Sequence, residues 1–256
     1  MNVTLAGKTA VITGALSGIG LAITRAYLEA GAQGVVAVSR ETQIPNALQA
    51  CSAQFPGKLY FVHGDVGHEA TAQEFTRLAL DRFGHLDILV NNAAISVVKA
   101  LHEHSIDEWD SVLNSNVKAL FLAARHVIPI MMAQKEGLIL VSGSISGEVG
   151  IPTQGAYAAS KGALHQMTRQ MAIEYARFGI RVNAIACGTV DTPIVHNSAK
   201  ASGNPEAYWK MLREKHPIGR IANSDEVAAF FTYMASDFAT FFTGSILMLD
   251  GGFTAQ

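Results

Sequence analysis

"TAVITGALSGIG", residues 9–20, runs a short β-branched strand pattern straight into a glycine-rich turn and then into a helical pattern over 18–30. A glycine-rich turn between a first strand and a helix lets backbone N–H groups approach a pyrophosphate, and the helix N-terminus adds partial positive charge. Gly14, Gly18 and Gly20 are spaced G-x-x-x-G-x-G, which differs from the G-x-G-x-x-G of the common dinucleotide fingerprint. Taken alone, such a turn is equally a device for tight backbone geometry. Its place after the first strand is what points it at a phosphate.

The strand pattern recurs along the chain. "GVVAV" (34–38), "KLYFV" (58–62), "DILVN" (87–91), "LILVS" (138–142), "RVNAIA" (181–186) and "SILML" (245–249) are nearly continuous apolar runs. That suits strands covered on both faces, as in a parallel sheet. Helical patterns lie between them at about 44–54, 68–83, 107–132, 155–178 and 224–235, with Gly31, Gly84 and Gly179 as stops. The alternation predicts an α/β fold: a doubly wound, parallel, seven-stranded Rossmann-type sheet forming one domain over 1–256. The rhythm breaks once, at 189–223, where Pro193, Gly203, Pro205 and Pro217 mark an insertion. Its position after a strand predicts a substrate lid; a plain surface excursion is the alternative.

The formal net charge of -2 gives no reason to expect nucleic acid or an anionic membrane as partner. Cys51 and Cys187 are far apart and read as reduced thiols, which points to the cytoplasm. The N-terminal stretch lacks a basic segment followed by an apolar one, and no apolar run approaches the ~20 residues of a membrane span.

The second strand ends "AVSRE". Ser39 stands where an acid would favour NAD, and Arg40 follows, which favours the 2′-phosphate of NADP. Arg40 is alternatively a solvated loop charge, and Glu41 could reach the ribose hydroxyls and restore NAD use. Asp65, in "HGDV", either accepts from an adenine amino group or caps a helix. "NNAA" (91–94) offers small residues and amides for a passing cofactor, or simply a turn.

"YAASK", 157–161, places Tyr157 and Lys161 one helical turn apart on one face. A phenol with an ordinary pKa of ~10 is a poor acid or base at neutral pH. An ammonium beside it would stabilise the phenolate, at about 1.4 kcal/mol for each pKa unit.

Together these residues resemble the short-chain dehydrogenase/reductase family, in the branch with a TGxxxGxG turn, nearly end to end. "TGALSGIG" matches the cofactor turn, "NNAA" matches NNAG with its last glycine changed, and Asn116 in "LNSNVKA" matches the helix asparagine. Ser144 lies thirteen residues before Tyr157, "YAASK" matches YxxxK, and "DGG" (250–252) matches the motif after the last strand. The resemblance implies hydride transfer between a nicotinamide and an alcohol or carbonyl. It implies Tyr157 as general acid/base, Lys161 as its modulator and ribose ligand, Ser144 as substrate hydrogen-bond donor, and Asn116 as holder of a relay water. It implies cofactor contacts from Gly14, Ser17, Gly18, Ile19 and Gly20 of the turn, and from Ser39 and Arg40. Asp65, Val66, Asn92, Ala93, Val190 and Thr192 complete the set with Tyr157 and Lys161. It also suggests a homotetramer. NADP is the expected cofactor, with NAD possible. An NAD-using sugar or polyol dehydrogenase and a non-catalytic nucleotide-binding regulator are the competing readings.

The chain departs from the pattern at Cys187-Gly188, where the family usually has Pro-Gly. Cysteine lacks proline's fixed φ, which puts loop rigidity in question. Ser142, two residues before Ser144 and on the same strand side, competes for the serine role; the interval to Tyr157 favours Ser144. No metal is expected: "LHEHS" (101–105) has no accompanying ligand cluster. His196 and His216 flank the insertion and are expected near the substrate by position alone.

Overall fold

The computed structural model describes residues 3–256. Seven strands form one parallel sheet: β1 (Thr9–Thr13), β2 (Gly34–Ser39), β3 (Leu59–His63), β4 (Ile88–Asn91), β5 (Gly137–Ser144), β6 (Ile180–Cys187) and β7 (Ile246–Leu249). Their order is β3-β2-β1-β4-β5-β6-β7, so the winding reverses between β1 and β4. In an open sheet of this kind a crevice opens at that reversal, outside the carboxyl ends of the strands.

Successive strand residues point to opposite faces, and each face has its own core. One face buries Ile12, Val35, Leu140 and Ile185 with Ile23 of α1 (Gly18–Glu29) and Phe231 of α9 (Ser224–Ala235). The other buries Val11, Val36, Ile139 and Val182 with Phe75 of α3 (Glu69–Phe83), Leu120 of α5 (Ala119–Gln134) and Leu164 of α6 (Gly155–Tyr175). Burial on both sides is why the strands read as unbroken apolar runs. The helix α2 (Asn46–Gln54) follows β2. Gly84 (φ 80°) and Gly179 (φ 78°) end their helical segments in the left-handed conformation that the stop signals predict.

Two elements differ from the sequence expectation. The helix expected over 107–132 is α4 (Ile106–Leu113) and α5 joined by one π-helical turn, Asn114–Lys118, which carries Asn116. Ile106–Gln134 is long and apolar enough in composition to cross a membrane, but half of its most apolar stretch is buried inside the fold. The insertion at 189–223 holds two helices, α7 (Pro193–Ala201) and α8 (Pro205–Glu214). Each begins with a proline in the first turn, where the missing N–H costs nothing.

Phe231 is fully buried between α1 and the sheet, and its carbonyl accepts from the Tyr27 hydroxyl. Phe231→Ala is expected to destabilise the fold by ~3–5 kcal/mol, seen as a lower urea midpoint with an unchanged slope.

Candidate active site

The turn after β1 is closed by the exit of β4. The Asn92 side-chain N–H donates to the carbonyls of Thr13 at 3.0 Å and Gly14 at 3.3 Å, while the N–H groups of Asn92 and Ala93 donate to Thr13 Oγ1 at 3.0 and 3.1 Å. This contact leaves no room for side chains. A Cβ on Gly20 would lie 2.1 Å from the Gly14 carbonyl oxygen, and one on Gly14 2.9 Å from Ala93 Cα. Gly14 (φ 65°) and Gly18 (φ 50°) also adopt left-handed backbone. Ser17 caps α1 with no side-chain hydrogen bond, so the first N–H groups of the helix face outward unengaged by it. With Ile19 half-buried behind it, the turn is a cradle that fits a dinucleotide pyrophosphate.

At the end of β2, the Ser39 hydroxyl accepts from the Glu41 N–H at 3.2 Å. Arg40 extends toward Asp65, Nη1 to Oδ2 at 3.7 Å, and remains largely exposed. Asp65 does not cap a helix: α3 begins at Glu69, and Asp65 Oδ1 accepts from Gly67 N at 2.8 Å within a turn. Val66 is half-buried beside it.

Ser144, at the end of β5, and Tyr157 and Lys161, on α6, come together at the carboxyl edge of the sheet. The Ser144 hydroxyl lies near enough to the Tyr157 phenol to draw its pKa down. Lys161 is buried, donates to the Ser142 carbonyl at 2.7 Å, and lies 5.3 Å from the Tyr157 ring centroid. Ser142 has a different task from Ser144: its hydroxyl donates to Asn92 Oδ1 at 3.1 Å. Asn116 is fully buried; Oδ1 accepts from Ile95 N at 2.9 Å, and Nδ2 donates to the Ile95 carbonyl at 3.0 Å and to Ser160 Oγ at 2.9 Å. The π turn aims that amide between the β4 exit and α6.

Burial dominates the electrostatics of the pair. It pushes Tyr157 up to about 12, against the opposing pull of the Ser144 hydroxyl. It likewise pushes Lys161 down to about 8. Loss of water, which disfavours the charged form of each group, is the first cause of both shifts. Cys187, paired with Ser144 across β5 and β6, is buried and its thiol is pushed up to about 12. It is a small core side chain, not a thiolate.

One of the two insertion histidines differs from expectation. His216 is buried, with both ring nitrogens engaged by backbone, and is not free to touch a substrate. His196 is exposed, pairs with Asp191 at 2.6 Å and meets the Trp209 ring edge-on at 5.0 Å. Val190 is buried, and Thr192 lies against the cradle: a Cβ on Gly18 would sit 3.2 Å from its methyl group. Among the described residues no group of three or more His, Cys, Asp or Glu is placed to hold a metal ion.

Sequence reasoning missed a supporting layer. Ser144 Oγ accepts from Ser146 N and contacts Ser146 Oγ, both at 3.2 Å, and the Ser146 hydroxyl donates to Gln154 Oε1 at 2.5 Å. His165, one turn beyond Lys161, inserts its ring where a Cβ on Gly143 or Gly147 would lie 2.6 Å away, and its Nδ1 pairs with Glu148 at 2.9 Å. The i, i+4, i+8 spacing of Tyr157, Lys161 and His165 was the available signal.

A family model described as enoyl-(acyl carrier protein) reductase matches residues 14–254. The chain is 37% identical to cis-4-hydroxycyclohexanecarboxylate dehydrogenase of Sinomonas cyclohexanicum, over 100% of both chains. It is 35% identical to 2-(S)-hydroxypropyl-CoM dehydrogenase 3 of Xanthobacter autotrophicus, again over 100% of both. The structure of L-sorbose reductase from Gluconobacter frateurii, complexed with NADPH and L-sorbose, superposes with a TM-score of 0.93 at 31% identity, covering 100% of each chain. With the reversed seven-stranded sheet, the glycine cradle and the Ser144–Tyr157–Lys161 cluster, these likenesses identify the chain as an oxidoreductase of the short-chain dehydrogenase/reductase family.

Proposed function

We propose that the chain is an NADP-preferring alcohol dehydrogenase or carbonyl reductase that interconverts a secondary alcohol and a ketone or aldehyde. The observation that carries this reading is the meeting of Ser144, Tyr157 and buried Lys161 beside a dinucleotide cradle. When bound, the dinucleotide supplies or accepts the hydride. Gly14, Ser17, Gly18, Ile19 and Gly20 would hold its pyrophosphate, Asp65 and Val66 its adenine end, and Asn92, Ala93, Val190 and Thr192 its nicotinamide half. Ser144 donates to the substrate oxygen. Tyr157 gives the oxygen a proton in reduction and takes one in oxidation, the kind of step worth about 10²–10⁴-fold in rate. Lys161 holds the ribose and biases the phenol. Asn116 Oδ1 accepts one bond and has a second lone pair to offer a relay water.

The NADP preference is supported by a neutral Ser39 at the strand end and by Arg40, whose only ion pair is a loose one with Asp65 among the described residues. α7 and α8 form the substrate lid, with Tyr208 and Trp209 as its apolar surface. A sugar or polyol is the second substrate class, favoured by the likeness to L-sorbose reductase. Buried, unpaired Cys51 and Cys187 accord with the reducing cytoplasm. Exposed Ile106, Phe121 and Ile173 on α4, α5 and α6 support a homotetramer, for which light scattering in solution should give four times the chain mass.

NADPH is expected to raise the melting temperature more than NADH at equal concentration; a larger shift with NADH would overturn the role given to Ser39 and Arg40. Tyr157→Phe should still bind dinucleotide while turnover falls by about 10²-fold or more, and undiminished turnover would remove Tyr157 from the chemistry. Lys161 adds a pH signature. Its folded pKa lies below the unfolded value, so between about pH 8 and 10.5 the unfolded chain carries the extra proton and stability rises with pH. Relative to Lys161→Met, the natural chain should gain on the order of 1–3 kcal/mol across that window, measured by denaturant unfolding at stepped pH.

A further inference from the structure

His216 lies in the insertion just beyond α8 and is 3% exposed. Its Nδ1 meets the Leu212 carbonyl at 2.7 Å, and its Nε2 accepts from the Thr189 backbone N–H at 3.1 Å. A carbonyl only accepts and a backbone N–H only donates. The two contacts together therefore admit one form of the ring, the neutral imidazole with its proton on Nδ1. The ring presses on Gly188, where a Cβ would sit 2.8 Å from Nε2, and tilts over Phe253 with centroids 5.4 Å apart. The end of α8, the loop leaving β6 and the C-terminal segment all meet on this one side chain.

The loop leaving β6 carries Val190 and Thr192. It is fastened by backbone on one side: Ala222 N donates to the Thr189 carbonyl at 3.0 Å, and Gly188 N donates to Leu249 at 3.0 Å. The Thr189 N–H has no such backbone partner and goes to His216. Cys187 precedes Gly188 where the family has a proline, so the ring supplies a restraint that the backbone there lacks.

We propose that His216 is a positioning residue for the dinucleotide. By accepting from the Thr189 N–H it holds Val190 and Thr192 in place and couples that loop to the insertion, and it does so only while neutral. The inference rests on the reading of the 188–192 loop as part of the cofactor site. Asp250 is the charged group facing the ring from the C-terminal segment, its carboxylate accepting from Gly252 N at 3.0 Å, Thr254 N at 2.9 Å and Thr254 Oγ1 at 2.6 Å. From its own segment, Arg213, whose carbonyl accepts from His216 N at 3.2 Å, and Lys215 flank it. Gly188 and Thr189 bring no charge, and Asp191 further along the loop is paired with His196. A proton on Nε2 would set donor against donor at Thr189.

The test is calorimetric binding of NADPH and NADH to the full chain. It compares the natural chain with His216→Leu and His216→Gln. Leucine removes the acceptor and leaves a buried N–H unpaired; binding of the preferred dinucleotide should weaken about tenfold or more. Glutamine restores an acceptor and should bind within about threefold of the natural chain. Equal binding by the leucine variant, or a glutamine variant as weak as the leucine one, would overturn the proposal. Should the leucine variant not fold, a loss of about tenfold or more in the glutamine variant would overturn it alone. Failure of the natural chain to bind either dinucleotide would overturn the cofactor reading itself, and this inference with it.

Discussion

The site depends on the side-chain amide of Asn92. Its N–H group ties the carbonyls of Thr13 and Gly14 to the β4 exit, and its carbonyl oxygen takes the Ser142 hydroxyl. Ser142 in turn accepts from Lys161 through its backbone carbonyl. One amide therefore connects the glycine cradle at the winding reversal to the helix that carries Tyr157. The same contact explains the glycines: β1 and β4 exits this close leave no space for a Cβ at Gly14 or Gly20. What reads in the sequence as a phosphate motif is equally a packing requirement of the switch point, and the two demands fall on the same residues.

Much of this architecture is legible in the sequence. The seven strands are apolar on both faces, so the sequence carries a strong local signal at each, and parallel pairing follows from the helices between them. The Tyr157–Lys161 spacing and the interval from Ser144 also reach across the fold because a strand end and the next helix are adjacent in sequence. Less visible were features that local pattern does not encode. The π turn at Asn114–Lys118 adds one residue to a helix whose apolar periodicity looks continuous on either side. The His165 slot depends on Gly143 and Gly147, which belong to another element, and the burial of His216 depends on three segments distant in sequence. Position alone put His216 near the substrate; its hydrogen bonds turn it inward. The roles assigned to site residues rest on the proposed function, while their placement rests on geometry.

The departure at Cys187 illustrates how a fold absorbs a lost constraint. A proline there would limit φ through its own ring. Cysteine packs as a small apolar side chain facing the core with Ile185 and Val190, and the following residues are held by partners from elsewhere: Leu249, Ala222 and His216. Such a restraint is conditional, since it depends on the seating of the insertion, whereas that of a pyrrolidine ring is not.

The polarity of the Tyr157–Lys161 pair bears on the direction of chemistry under the proposed function. Both shifts have burial as their first cause, and burial favours the uncharged form of each group. A phenol pushed up to about 12 is a protonated phenol throughout the neutral range, ready to give a proton to an oxygen that is gaining negative charge. To accept a proton it must first lose its own, against the desolvation that surrounds it. The Ser144 hydroxyl acts in the opposite sense already in the chain alone, and any positive charge that a bound dinucleotide brought beside the ring would add to it. The chain alone is thus poised as an acid, which under the proposed function suits carbonyl reduction, while oxidation draws on the positive charge that a bound oxidised dinucleotide would bring beside the ring.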